Sequence, residues 1–334
     1  MPDVPPLAVS MGDPAGIGPE IIAKAWAART SNGLASFFAV GDPRAVKQVW
    51  DGPVVAITDP REATAAFEDG LPVISAADAG HVKPGEPDVD GAHCALQSLE
   101  LAAGLARSGA AGALVTGPVS KKQLYDIGFT YPGQTEFVAE RCGVAHENAV
   151  MMLAGPSLRV VPITTHIPLR SVAGTISVEL IVAKARATAR GLQRNFGIAA
   201  PRLAFAGFNP HAGEGGAIGS EEIDYLVPAI EQLKAEGIDA VGPFAADTMF
   251  HPRARALYDV ALCLYHDQAL IPIKTLHFDE GVNMTLGLPI VRTSPDHGTA
   301  FGIAGCNEAE PGAMIAAIRM AAMAAAVRRT SACQ

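Results

Sequence analysis

Excess positive charge, paired cysteines, long apolar runs and a dinucleotide fingerprint are all missing from this sequence, and each absence removes a class of function. Lysine and arginine number 25 against 34 aspartates and glutamates, a formal net charge of -9 at pH 7. Nucleic acids and anionic membranes select basic surfaces, so neither is an expected partner and any anion site must be local. Cys94, Cys142, Cys263, Cys306 and Cys333 are odd in number and include no CxxC pair. Neither a disulfide framework nor a zinc ribbon follows, and a reducing compartment fits. No apolar run reaches the roughly 20 residues of a membrane helix, and MPDVPPLAVS lacks the basic start and apolar core of a signal peptide. A cytoplasmic protein is expected. The glycine-rich turn SMGDPAGIGPE is not a dinucleotide fingerprint either. Ile21 stands where the third glycine of that pattern would fall, and Glu20 would repel a pyrophosphate.

What is present reads as a globular α/β chain. Of 334 residues, 49% are apolar and 18% charged, enough to bury one large core or two moderate ones. Short β-type runs at Leu7–Ser10, Phe37–Val40, Ala113–Val115, Arg159–Thr164, Leu203–Gly207 and Val260–Tyr265 alternate with helical stretches. The helices are predicted at Pro19–Ala28, His93–Ser108, Val178–Phe196, Glu221–Ala235 and Ala313–Arg328. Gly109, Gly197 and Gly237 suit left-handed caps, and Ser220 suits the N-cap of the fourth helix. That alternation predicts a mainly parallel sheet. No repeat or low-complexity tether marks a boundary, so any domain division is made by chain crossings.

Chemistry gathers at strand ends. RVVPITTHIPL, LAFAGFNPHAGEGG and DVALCLYHDQA each run from a buried-looking strand into a loop with one histidine, namely His166, His211 and His266. The carboxyl ends of parallel strands line the ligand crevice of open α/β sheets, so residues distant in sequence can converge there. A lone strand-end histidine is most often structural, but three in one topological position suggest a metal with open coordination positions. His297 is set apart from the remaining histidines by its place in SPDHGTA. Lys274, Asn283 and Arg292 form a local basic set that could hold a phosphate or carboxylate, although spacing alone leaves solvated surface charge equally open. TGPVSK, Thr116–Lys121, also follows a strand and could bind an anion, although turn chemistry alone explains its Gly-Pro.

Taken together, MGDPAGIGPE, VTGPVSK, GQTEF, TTHIPL, NPHAGEGG, ADT, YHDQ, GVNMTLGLP and RTSPDHGTA resemble the 4-hydroxythreonine-4-phosphate dehydrogenase family along nearly the whole chain. The resemblance implies a two-domain α/β/α sandwich similar to isocitrate and isopropylmalate dehydrogenases. One domain would comprise residues 1–130 plus 276–334 and the other, with the dimer interface, residues 131–275, with the active site in the cleft between them. It implies a homodimer with sites shared across the interface, in which His166, His211 and His266 hold a divalent metal (zinc, magnesium, cobalt or manganese) and His266 comes from the partner subunit. Lys274, Asn283, Arg292 and Thr135 match substrate-binding positions. Gln134 stands where the family pattern has histidine, and glutamine cannot titrate near neutrality. Asp296, His297, Gly298 and Thr299 resemble the cofactor loop of decarboxylating dehydrogenases, for NAD or NADP. Asp247 and Asp267 are candidate proton carriers or metal-shell carboxylates; equally, the first could cap a helix and the second orient an imidazole.

The implied reaction is oxidation of a small phosphorylated substrate, 4-(phosphooxy)-L-threonine, to 2-amino-3-oxo-4-(phosphooxy)butanoate. Loss of carbon dioxide then gives 3-amino-2-oxopropyl phosphate for pyridoxine 5'-phosphate synthesis. A relative acting on a phosphorylated sugar acid such as 4-phosphothreonate or 4-phosphoerythronate, or on a cis-dihydrodiol carboxylate, would keep the same metal and nucleotide residues. A non-catalytic metal-dependent sensor is the remaining alternative.

Overall fold

The computed structural model describes residues 4–332. Its strands are β1 Leu7–Ser10, β2 Phe37–Gly41, β3 Val54–Ile57, β4 Leu71–Ser75, β5 Leu114–Thr116, β6 Val150–Gly155, β7 Leu158–Pro162, β8 Leu203–Ala206, β9 Ala240–Phe244, β10 Val260–Cys263, β11 Val282–Leu286 and β12 Arg292–Pro295. The chain divides into two compact units, Met1–His146 with Leu288–Gln334, and Glu147–Gly287. The predicted mixed α/β class holds in both.

In the first unit the strand order is β3-β4-β2-β1-β5-β12, with every pairing parallel. From β1 the chain moves to β2 on one side and later returns to β5 on the other. Right-handed crossovers in opposite directions put helices on both faces, so the carboxyl ends of β1 and β5 flank a topological switch point. β1 and β2 are buried throughout, as continuous apolar strands covered on both faces should be. Helix Val89–Ser108 is N-capped by Asp88, whose carboxylate accepts the Gly91 N–H, and stops at left-handed Gly109. Just past β1, Gly12 has φ 76°, and a Cβ there would lie 2.3 Å from the Pro118 carbonyl oxygen. Only glycine lets the turns after β1 and β5 touch in this way, and Asp13 N–H donates to that same carbonyl at 2.9 Å.

The second unit has the order β11-β6-β7-β10-β8-β9. β6 pairs antiparallel with β11 and β7, whereas β7, β10, β8 and β9 run parallel. Its core includes Leu153, Val160, Ala204, Met249, Ala261, Cys263, Leu270 and Ile273. Helix Val178–Phe196 has the predicted bounds, because Ser177 accepts the Leu180 N–H at one end and Gly197 adopts φ 67° at the other.

Several expectations are corrected. Strands β3, β4, β6, β9, β11 and β12 were not among those predicted. Ser220 does not cap the fourth helix; its hydroxyl donates to the Asp224 carboxylate, and the segment opens with a π-turn at Glu222–Leu226. Cys94, Cys142, Cys263 and Cys306 are free thiols, and Cys333 lies outside the described residues. No helix among the described residues is long and apolar enough to cross a membrane.

Candidate active site

In the second unit the three predicted histidines follow three adjacent parallel strands, β7, β10 and β8. Neighbouring strands lie about 4.8 Å apart, so their loops leave one edge side by side. Two buried polar residues that sequence reasoning passed over join these loops. Thr164 Oγ1 donates to the Leu264 carbonyl at 2.7 Å, bridging the ends of β7 and β10. Gln268 Oε1 accepts the Leu264 N–H at 2.7 Å, and its Nε2 donates to the Gly207 carbonyl at 2.7 Å, bridging β10 and β8. The signal for Gln268 was its position in YHDQ, one helical turn past Leu264.

His166 and His266 stand with ring centroids 5.6 Å apart over a cleft of about 250 Å³ lined by Thr164, Thr165, Ile167, Tyr265 and Asp267 as well. His266 Nδ1 lies 2.7 Å from Asp267 Oδ1, an arrangement that holds the ring through that nitrogen. His211 is 3.8 Å from the Glu214 carboxylate. Among the described residues of one chain, no three His, Cys, Asp or Glu side chains gather as a metal-holding group.

Both His166 (φ 52°) and His211 (φ 54°) occupy the left-handed region. The strain does not stop at His211. Ala212, Gly213, Glu214, Gly215 and Gly216 also have positive φ, so six successive residues are left-handed, three of them not glycine. Each non-glycine residue held there costs on the order of 1–2 kcal/mol. Glu222, which is buried, holds the loop in place: its carboxylate accepts the Asn209 N–H at 2.7 Å and the Asn209 Nδ2 at 2.9 Å. Asp247 is exposed on the turn Ala246–Thr248 and makes no side-chain cap there. Lys274 lies on helix His266–His277 and Asn283 on β11; both are half-buried in the second unit, and Asn283 Oδ1 is buried without a hydrogen-bond partner among the described residues.

Arg292 belongs to the first unit. It is 3% exposed, which rules out solvated surface charge. Nη1 donates to Thr135 Oγ1 at 3.0 Å and Nη2 to Thr116 Oγ1 at 2.8 Å. Burial lowers its pKa to about 10, with Glu136 opposing the shift, so the guanidinium stays charged at neutrality and an anion would restore its lost solvation. Thr116 opens TGPVSK, and its role depends on β5 and β12 being neighbours. Gln134 and Thr135 begin helix Gln134–Arg141, and Gln134 Nε2 donates to the Gly117 carbonyl at 3.1 Å.

The loops after β1, β5 and β12 meet at the switch point. Ile17 N–H donates to the Thr299 carbonyl at 3.0 Å, joining MGDPAG to the segment Asp296–Thr299. His297 Nδ1 donates to the Gly298 carbonyl at 3.1 Å, and a Cβ on Gly298 would meet nothing within 4 Å, leaving its backbone open to approach. Glu20 turns inward and binds Lys24 and the Ala309 N–H rather than facing a ligand. Asp13, 2% exposed at the end of β1, was not singled out from the sequence. Burial raises its pKa to about 6; the Ala15 N–H opposes the shift and Asp88 adds to it.

Polar loops at the carboxyl edge of a doubly wound unit, with imidazoles on the strand ends of a second unit, are the arrangement of an α/β enzyme rather than of a scaffold. The chain belongs to the family of the pyridoxal phosphate biosynthetic protein PdxA, whose model matches residues 34–321. It is 60% identical over 320 residues to a 4-hydroxythreonine-4-phosphate dehydrogenase of Zymomonas mobilis, covering 96% of each chain. A protein of the same name from Erythrobacter litoralis is 55% identical, with 97% of each chain covered. Among solved structures, the 4-hydroxythreonine-4-phosphate dehydrogenase of Klebsiella pneumoniae superposes with a TM-score of 0.86 at 37% identity, covering 96% of this chain and 99% of that one.

Proposed function

We propose that the chain is an oxidoreductase that oxidises 4-(phosphooxy)-L-threonine to 2-amino-3-oxo-4-(phosphooxy)butanoate, which then loses carbon dioxide to give 3-amino-2-oxopropyl phosphate. The observation that carries this reading is the set of three imidazoles on adjacent parallel strand ends, two of them held in left-handed backbone. Strain of that kind persists where the surroundings over-determine it, and it clusters at functional sites. His166, His211 and His266 fit a divalent metal by donor chemistry, with Asp267 orienting one ring. A bound metal would supply Lewis acidity toward the secondary hydroxyl and the later enolate, while NAD or NADP would accept the hydride.

The chain's own residues supply binding and orientation. Arg292 presents a buried, permanent positive charge for the phosphate, positioned by Thr116 and Thr135. Lys274 and Asn283 are the substrate groups of the second unit. Asp247 and Asp267 are its proton carriers, and Asp296, His297, Gly298 and Thr299 meet the nucleotide. A second copy of the chain completes the metal set. Leu169, Ile271 and Phe278, exposed at 66%, 65% and 76%, lie on or beside the elements carrying His166 and His266, and they support pairing through that surface. The working enzyme is then a cytoplasmic homodimer.

The deciding experiment follows nicotinamide reduction at 340 nm with both nucleotides on chelator-stripped protein refilled with zinc, magnesium, cobalt or manganese. The substrate panel contains 4-(phosphooxy)-L-threonine, its dephosphorylated form, 4-phosphoerythronate and a cis-dihydrodiol carboxylate. Turnover of the first alone is expected, and equal use of the dephosphorylated form would remove the anion-site reading. Co-refolded His166→Ala and His266→Ala chains should recover about a quarter of wild-type activity if subunits pair at random. Verified hybrids without activity would rule out the shared site.

A further inference from the structure

Between β12 and helix Gly312–Ala332 the chain runs from Asp296 to Pro311 with one short 3-10 turn, Phe301–Ile303. A connection of that length with so little structure of its own is uncommon in a compact unit and is usually functional. Its first residues, Asp296–Thr299, are the nucleotide candidates, and its middle is largely exposed. It is nevertheless held at two separate points, both on one helix. Ile17, the N-cap of helix Gly18–Ala27, donates its N–H to the Thr299 carbonyl at 3.0 Å. One turn further on, Glu20 Oε1 accepts the Ala309 N–H at 3.0 Å. Lys24 Nζ donates to the Ala309 carbonyl at 2.8 Å, the Asn307 carbonyl at 3.0 Å and Glu20 Oε1 at 2.8 Å. All of these groups lie in the first unit.

Glu20 and Lys24 stand four residues apart, the spacing and order in which a carboxylate and an ammonium face each other on a helix. Glu20 is buried, and a buried carboxylate needs its paired cation. An ammonium has three N–H donors, and Lys24 directs one to each of three acceptors. Ala309 is thus gripped through both its N–H and its carbonyl. Between the two anchors Ala300 and Asn307 are left-handed, a conformation that non-glycine residues keep only where their surroundings fix it. We propose that Glu20 and Lys24 are positioning residues for the nicotinamide nucleotide: by fixing Asn307 and Ala309 to the helix that also fixes Thr299, they hold Asp296–Thr299 in its binding shape before the ligand arrives. The pair touches no ligand itself and acts by lowering the ordering cost of binding. The proposal rests on reading Asp296, His297, Gly298 and Thr299 as nucleotide residues. Arg292 is held by Thr116 and Thr135 instead, so affinity for the phosphorylated substrate should not change.

Nucleotide binding tests it. NADH and NADPH fluorescence titrations are run on the full chain, alone and with 4-(phosphooxy)-L-threonine, for wild type, Lys24→Met, Glu20→Gln and Gly298→Val, with thermal melting as the check on folding. Lys24→Met removes the ammonium and keeps an apolar stem, and nucleotide affinity should fall roughly 10-fold. Nucleotide KM should rise by the same factor with kcat and substrate KM unchanged, a split that general destabilisation would not produce. Glu20→Gln keeps an acceptor for the Ala309 N–H and should stay within about 2-fold of wild type. Gly298→Val adds bulk where a Cβ meets nothing within 4 Å, so it reports on the nucleotide site itself and should abolish binding. Hydrogen exchange on wild type needs no folded variant: the Ala309 amide should be protected without nucleotide, and ready exchange there would overturn the proposal. Unchanged nucleotide affinity in folded Lys24→Met, beside lost affinity in Gly298→Val, would overturn it and leave the nucleotide site in place. If Gly298→Val also binds as wild type does, or wild type binds neither nucleotide, the nucleotide reading falls with it.

Discussion

The two units treat their polar groups in opposite ways. In the first, the turns that directly follow β1 and β5 are buried and knitted to one another, Asp13 N–H bonding the Pro118 carbonyl, and buried Arg292 at the start of β12 is shared between Thr116 and Thr135. In the second, buried Thr164 and Gln268 tie the strand ends together, yet the imidazoles they support are exposed or half-exposed, and two sit in strained backbone. A site closed on itself can be tuned by burial, which moves the pKa values of Arg292 and Asp13. A site built on exposed, strained loops depends on something brought to it, and its groups contribute more to chemistry than to stability.

Removing one imidazole should separate those two contributions most sharply. His211→Gly is expected to lower turnover by roughly a thousand-fold or more. Stability should be unchanged or raised by about 1 kcal/mol, since glycine accepts φ 54° without a Cβ clash but orders a more flexible chain. Steady-state rates and denaturant unfolding of the same sample decide it, and a marked loss of stability would mean that the second unit is not strained as described.

The next largest effect belongs to the buried carboxyl of the first unit. The folded pKa of Asp13, about 6, exceeds its ordinary value of 3.8, so the folded state binds the extra proton between those limits. Stability from this group is fully present below about pH 4 and is lost as pH rises through 6. Asp13→Asn should therefore be more stable than wild type by on the order of 2–3 kcal/mol at pH 8, narrowing to about 1 kcal/mol near pH 4.5. Unfolding free energies measured at both pH values test it; a constant difference would show that the carboxyl does not titrate in this range.

Arg292→Lys gives the smallest of the three effects. Lysine keeps the charge but cannot reach both Thr116 and Thr135 with a planar fork, so substrate affinity should fall about 10-fold, roughly 1.4 kcal/mol, with less change in maximal rate. An unchanged KM would show that the fork does not matter to binding.

Local chemistry made part of this legible. Helix Val178–Phe196 was readable because Ser177 and Gly197 are adjacent to its ends. The histidine loops were readable because apolar runs stop at them. β12 was not, since RTSP looks like a polar loop; it is buried because Arg292 finds Thr116 and Thr135 and Thr293 donates to the Ala317 carbonyl. Ser220 looked like a cap, but its hydroxyl found the Asp224 carboxylate first. Asp13 carried a signal only as part of GDPAG, because nothing in its neighbours reveals that the turn after β5 and the start of helix Val89–Ser108 will close on it.

By itself, then, the order of residues determined which strands carry histidine and where glycine stops helices Val89–Ser108 and Val178–Phe196, since capping, period and turn preference act over a few residues. Tertiary structure alone decided that β10 inserts between β7 and β8 and sets His266 beside His166. It also decided that Gln134 spends its amide nitrogen on Gly117 and that its oxygen is buried without a partner among the described residues. These are pairings across tens to hundreds of residues, and they follow from which strands become neighbours in the sheet, a choice made by the packing of the whole unit rather than by any segment of it.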